Sequence, residues 1–216
     1  MINSILRKRL FTSLILLFMT YLMFRYDFFL IFFLIVLGIT SLIEFFEIIK
    51  KITKNGILAF SFNSFFISYI FLFCFFFYLF LNFIHLKVMI FSLLCACIAS
   101  DVGGYIFGKV FKGPKLTKIS PNKTISGAVG SLIFSGFVFS FLIFFFTNKF
   151  NFLILTIGIV TSVFCQLGDL FFSYLKRKSK IKDTGNFLPG HGGVLDRIDG
   201  ILLGIPFGFI TLTVLF

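Results

Sequence analysis

Most of this chain is phenylalanine, leucine and isoleucine, yet residues 182–199 read KDTGNFLPGHGGVLDRID. Within that stretch Asp196 and Asp199 are three positions apart, on one face if a helix begins there. Paired carboxylates of this kind suit Mg²⁺, which usually takes one or two protein carboxylates and completes its shell with substrate phosphates. The turn Pro189-Gly190-His191-Gly192-Gly193 just before them offers backbone N–H groups at close range to phosphate oxygens. His191 taken alone reads as a hydrogen-bonding residue. Lys176, Arg177, Lys182 and Asp183 flank the turn, and Ser120-Pro-Asn-Lys123-Thr124 supplies a further cation with two hydroxyls. Any one of these lysines is explained by a solvated loop. Cations, carboxylates and a glycine turn together describe a site for a metal and a polyphosphate, where the protein's work is positioning and charge neutralisation.

Two more acids, Asp101 and Asp169, fall inside apolar runs, one to two turns from their ends. An ionisable group in hydrocarbon costs about 3 kcal/mol or more and therefore faces a bundle interior and a partner. Ser162, Gln166, Asp169 and Ser173 follow one another at spacings of four, three and four, which draws a polar stripe down one helical face. Hydrogen bonding between helices accounts for Ser162 and Gln166. It accounts poorly for a carboxylate, so Asp169 reads as functional. Gly104-x-x-x-Gly108, beside Asp101, suits close helix packing as well as a site.

The elements that must hold these residues are membrane helices. Of 216 residues 59% are hydrophobic and 13% charged, against roughly a quarter charged in soluble domains. Apolar runs long enough to cross a ~30 Å hydrocarbon layer recur along the chain without the alternation of barrel strands. The expected fold is an all-α polytopic membrane protein of about seven transmembrane helices, within a range of six to nine. The expected spans are 10–24, 28–48, 56–84, 88–108, 125–147, 151–175 and 200–216, the third being long enough to break near Asn63. The run after Arg7-Lys8-Arg9 reads as a retained first span, because bulky residues follow it where a cleavage site would need small ones.

With a cytoplasmic N-terminus, 17 of the 20 Lys and Arg fall on the cytoplasmic side, in segments 7–9, 50–54, 109–123 and 176–197. The net charge of +12 is then topology and attraction to anionic headgroups, with no nucleic acid implied. Glu44 and Glu47 read as interfacial carboxylates, Glu47 being placed to pair with Lys50 and Lys51. Asp101, Asp169, Asp183, Asp196 and Asp199 all gather at that same face. Cys74, Cys95, Cys97 and Cys165 lie in apolar runs and read as reduced, buried small residues. The 39 phenylalanines read as compositional bias in lipid-facing helices. No soluble domain or repeat is visible: 1–216 reads as one membrane domain, with apolar helices in 1–99 and the chemistry in 100–200.

In these motifs the chain resembles the phosphatidate cytidylyltransferases, or CDP-diacylglycerol synthases. The family signature reads here as Ser173-Tyr-Leu175-Lys176-Arg177, then Lys182-Asp183-Thr-Gly185, then Leu188-Pro189-Gly-His191-Gly192-Gly193-Val194-Leu-Asp196-Arg197-Ile198-Asp199, matching at every fixed position across 27 residues. Gly168-Asp169-Leu170, Ser100-Asp101 through Gly108-Lys109, and Ser120-Pro121-x-Lys123-Thr124 are similar to further family motifs. The resemblance implies transfer of CMP from CTP to phosphatidic acid, giving CDP-diacylglycerol and pyrophosphate. It implies Mg²⁺ held by Asp169 and Asp196 with Asp199 helping, a second cation being left open. Lys182, Arg197 and His191 join Asp169 and Asp196 as catalytic residues. Ser120, Lys123, Thr124, Ser173, Lys176, Arg177, Asp183, Gly192, Gly193 and Asp101 fall to substrate binding. The implied setting is a homodimer in a bacterial-type plasma membrane, its active site on the cytoplasmic side. Phe172 and Ser126 depart from the pattern, since many members carry Glu at both places. The rival from another class is a transporter or ion channel with intramembrane carboxylates, which would spread polar residues to both sides of the midplane.

Overall fold

A computed structural model of the chain describes residues 15, 18–80, 83–185 and 192–215. Among these described residues the long helices are α1 (Asp27–Ile52), α2 (Gly56–Leu79), α3 (Ile84–Phe111), α4 (Ile125–Thr147), α5 (Phe152–Lys178) and α6 (Leu195–Leu215). All six are long and apolar enough to cross a membrane. Large apolar side chains such as Phe60, Phe65, Phe71, Phe137, Phe145 and Val214 point outward, as lipid-facing helices require. The chain is thus an all-α, multi-pass membrane protein. Among the described residues, extended pairing is limited to an antiparallel bridge between Lys115 and Thr124.

The spans follow the apolar runs closely, with two differences. The run over 56–84 ends its helix at Leu79, without a break at Asn63, and a new helix starts at Ile84. The last helix begins at Leu195 rather than at residue 200, so Asp196 lies in its first turn and Asp199 just after it. Most of the expected span 10–24 lies outside the described residues; residues 18–25 are helical.

The chain divides into two compact units. One is formed by Met1–Phe83 and Leu175–Ile198, the other by Ile84–Tyr174 and Asp199–Phe216. In the first, α1 and α2 pack through Phe45 stacked on Phe66, ring centroids 3.9 Å apart. The Cys74 thiol also reaches the Leu34 carbonyl at 3.7 Å. Asn55 caps α2, accepting the Ile57 N–H at 3.0 Å.

In the second unit α3 and α4 approach through glycine. A Cβ at Gly103 would stand 2.7 Å from the Phe134 Cβ and 2.8 Å from the Gly130 carbonyl oxygen. One at Gly108 would stand 2.9 Å from the Thr124 hydroxyl. The Gly104-x-x-x-Gly108 spacing is therefore packing, as small residues in membrane helices commonly are. On α6, Gly200, Gly204 and Gly208 form a similar ridge against Cys165 and Thr161 of α5. Phe164 and Phe207 stack beside it, centroids 3.7 Å apart. Of the four cysteines, all free, Cys97 and Cys165 are buried as expected. Cys95 is exposed on an outward-turned helix face, and Cys74 is half-buried beside α1.

Gly103→Ala should cost about 1–3 kcal/mol, since one of the colliding atoms is backbone and cannot rotate away. A Cβ at Gly56 would meet nothing within 4 Å, so Gly56→Ala should leave stability close to wild type. Thermal melts of the two variants in detergent check the contrast; equal melting temperatures would contradict it.

Candidate active site

In the second unit the polar stripe on α5 is present as spacing suggests, and each member has a partner. The Ser162 hydroxyl meets that of Ser100 at 2.7 Å. The Gln166 amide donates to the Ala128 carbonyl and to the Ser162 hydroxyl, both at 3.3 Å. Asp169 pairs with Lys123 through Oδ2 and accepts the Ser173 hydroxyl on Oδ1 at 3.4 Å. The stripe thus passes from helix–helix bonding in the interior to an ion pair about a quarter exposed.

Lys123 reaches Asp169 because the loop 112–124 is shaped to present it. The Ser120 carbonyl accepts the Lys123 N–H at 3.1 Å, closing a turn around Pro121 and Asn122, and the Lys123 carbonyl accepts the Leu116 N–H at 2.8 Å. Proline at the second turn position presets that conformation. Thr124 then caps α4, accepting the Gly127 N–H at 3.1 Å, and bonds the Ser126 hydroxyl at 3.1 Å. Ser126 in turn accepts the Gly113 N–H at 3.2 Å. Where relatives of the resemblance carry Glu, Ser126 therefore fastens the loop. Phe172 is buried, edge-on to Phe171.

Asp199 is also buried in this unit, and its Oδ1 accepts the Gly200 N–H at 2.9 Å. Gly168 lies against the Asp199 carbonyl: a Cβ there would overlap that oxygen and stand 3.2 Å from the Gly200 Cα. The glycine of Gly168-Asp169 is what lets α6 approach α5 at this point. Asp101 lies on an exposed face of α3 next to the buried Ser100.

The first unit holds the second ion pair. Lys176 donates to Asp196 Oδ1 at 2.7 Å, both side chains largely buried. Asp196 Oδ2 accepts the Thr184 N–H at 2.8 Å and the Gly193 N–H at 3.1 Å. Three donors thus fix one carboxylate. Helix α5 ends just before in a Schellman closure: the Ile181 N–H reaches the Lys176 carbonyl at 3.0 Å and the Lys180 N–H the Arg177 carbonyl at 3.1 Å. Lys180 takes the left-handed conformation this requires, φ 59°. The closure turns the chain so that Lys182 and Asp183 stand exposed beside the turn. Gly192 has φ 82°, and a Cβ on it would sit 3.0 Å from Asp196 Oδ2, so glycine serves both backbone and access there. Arg177 and Arg197 are exposed. His191, with Leu188, Pro189 and Gly190, lies outside the described residues.

One residue of this unit is a correction. Glu44, expected to be an interfacial carboxylate, is buried on α1. Its Oε2 accepts the Thr184 hydroxyl at 2.6 Å and the Leu195 N–H at 2.9 Å, and its Oε1 the Val194 N–H at 2.9 Å. Glu44 thus caps the start of α6 from α1, which explains why that helix begins five residues before its apolar run. Glu47, one turn on, is exposed.

Among the described residues no group of three His, Cys, Asp or Glu side chains is arranged to hold a metal ion. Asp169 and Asp196 each keep acceptor capacity beyond the bonds described, since a carboxylate offers about four lone-pair positions. Oxygen donors of this type fit Mg²⁺ when substrate phosphates complete the shell.

A family model described as the Cytidylyltransferase family matches residues 3–215. The phosphatidate cytidylyltransferase of Staphylococcus haemolyticus is 47% identical over 109 residues, covering 50% of this chain and 42% of that protein. That of Rickettsia felis is 44% identical over 122 residues, 52% of this chain and 53% of that protein. That of Helicobacter pylori is 43% identical over 124 residues, 54% and 44% respectively. The chain spans about half the length of the curated relatives it matches.

Proposed function

We propose that this chain, which belongs to the cytidylyltransferase family, transfers CMP from CTP to phosphatidic acid, forming CDP-diacylglycerol and releasing pyrophosphate. The observation that carries the proposal is Asp196, a signature carboxylate locked by Lys176 and by two N–H groups of the signature turn. A carboxylate held that firmly, amid phosphate-binding cations and glycines, suits positioning a nucleotide.

In the reaction an oxygen of the lipid phosphate bonds to the α-phosphorus of CTP as the bond to pyrophosphate breaks. That oxygen is already anionic, so no strong general base is needed. The obstacle is repulsion between two anions, and Lys123, Lys176, Arg177, Lys182 and Arg197 offset it. His191, Gly192 and Gly193 shape the phosphate site, and Ser120, Thr124, Ser173, Asp183 and Asp101 contribute polar contacts to the substrates. Asp169, Asp196 and Asp199 are the carboxylates assigned to Mg²⁺, which supplies charge neutralisation on the phosphates when bound. The basic segments 50–54, 109–123 and 176–197 support a cytoplasmic active site in a bacterial plasma membrane. A homodimer is carried forward from the resemblance.

The test is purified protein with labelled CTP, phosphatidic acid and Mg²⁺. Labelled CDP-diacylglycerol is the expected product. Absence of CTP turnover by the wild-type chain would return the reading to a transporter or channel.

A further inference from the structure

We infer that Glu44, a residue of the apolar N-terminal half, is the positioning residue of the signature turn and sets the place of Asp196. The inference rests on the proposed transfer reaction for its kinetic consequence, but its structural content stands apart from it.

Helix α6 opens with Gly193-Val194-Leu195 and so has no Ser, Thr, Asp or Asn of its own to receive its first N–H groups. Glu44 receives two of them, one on each oxygen. Its negative charge also suits a helix N-terminus. The same carboxylate accepts the Thr184 hydroxyl, so it ties residue 184 to residues 194 and 195 across the turn. Two signature glycines make room for it. A Cβ at Gly185 would stand 2.8 Å from Glu44 Oε1, and one at Gly193 would overlap both the Glu44 carboxylate and the Thr184 hydroxyl.

Asp196 depends on the same frame. The Thr184 and Gly193 N–H groups that reach its Oδ2 belong to, or adjoin, the residues Glu44 fastens. Glu44 spends its acceptors on the chain's own donors, so it acts through Asp196 rather than on a substrate. That separates it from the catalytic carboxylates.

Glu44→Gln keeps the side chain's shape but turns an N–H₂ toward an N–H donor, leaving one amide of the α6 start without an acceptor. Thr184→Val removes the third tie alone, and Thr184→Ser restores it. Hydrogen–deuterium exchange on the full-length protein in detergent, read by mass spectrometry, should show residues 184–198 exchanging several times faster in Glu44→Gln, with α4 unchanged. The kcat for CTP should fall about 10–100-fold while KM for CTP moves far less, and Thr184→Ser should recover what Thr184→Val loses. Wild-type exchange over 184–198 in Glu44→Gln, or a loss confined to KM, would overturn the inference. If Glu44→Gln unfolds throughout, Thr184→Val decides: local loss at 184–198 with α4 intact supports the inference, and unchanged exchange overturns it. A wild-type chain that turns over no CTP would defeat the proposed reaction, while the exchange result would still judge Glu44.

Discussion

Asp196→Asn should lose nearly all CTP-dependent turnover, on the order of 10²–10³-fold in kcat. The substitution preserves volume and removes the charge. The single amide oxygen can then serve either Lys176 or the Thr184 and Gly193 N–H groups, and the N–H₂ faces whichever donors are left. An acceptor lost from buried donors costs about 1–3 kcal/mol, so the variant should also melt somewhat earlier. The two effects separate experimentally: initial rates with labelled CTP at a temperature where both proteins are folded measure the first alone. Glu47→Gln, changing an exposed carboxylate one turn from Glu44, is the matched control and should retain wild-type rates. Robust turnover by Asp196→Asn would remove this carboxylate from the chemistry.

The second large effect is expected at Lys123. Lys123→Met should reduce kcat about 100-fold, a loss comparable to misplacing a substrate group by an ångström. The ion pair with Asp169 makes a sharper statement possible. If the two act as one unit, Asp169→Asn in the Lys123→Met background should cost far less than it does alone, because members of a shared network are not additive. Rates of the wild type, both single variants and the double variant close that cycle. Independent, multiplying effects would mean the pair is structural and that Lys123 and Asp169 serve the reaction separately.

What was legible in the sequence followed from local regularity. Spans read from apolar runs fall within a few residues of the helices, and 125–147 coincides with α4. The stripe Ser162, Gln166, Asp169, Ser173 was visible because helical period alone aligns it. What each stripe member touches was not visible, since Lys123 lies 46 residues before Asp169 and its aim depends on the turn at Ser120 to Lys123. Thr124 illustrates a second limit. Its hydroxyl, which the resemblance assigns to substrate binding, also caps α4, a role that only the helix start reveals.

Glu44 was misread for a related reason. Its neighbours in sequence, Glu47, Lys50 and Lys51, make an interfacial salt-bridge cluster the natural reading. Its real partners are 140 to 151 positions away. A trace of them does exist in the sequence: Gly193-Val194-Leu195 begins a helix without any capping side chain. A helix that lacks a cap of its own needs an acceptor from elsewhere, and Glu44 is an acid for which the sequence names no particular partner.

That long separation also orders events in time. Ribosomes add about 5–20 residues per second, so the Glu44 carboxylate precedes its donors by some 140 to 151 residues, roughly 7–30 s of synthesis. Through that interval α1 is in place with a carboxylate near its end that water, lipid headgroups or the insertion machinery must satisfy. Only when Thr184 to Leu195 emerges can the carboxylate be buried. The signature turn therefore takes shape only after the helices that precede it have been made, and a chain arrested before residue 184 presents a membrane-inserted N-terminal half whose Glu44 still lacks its donors.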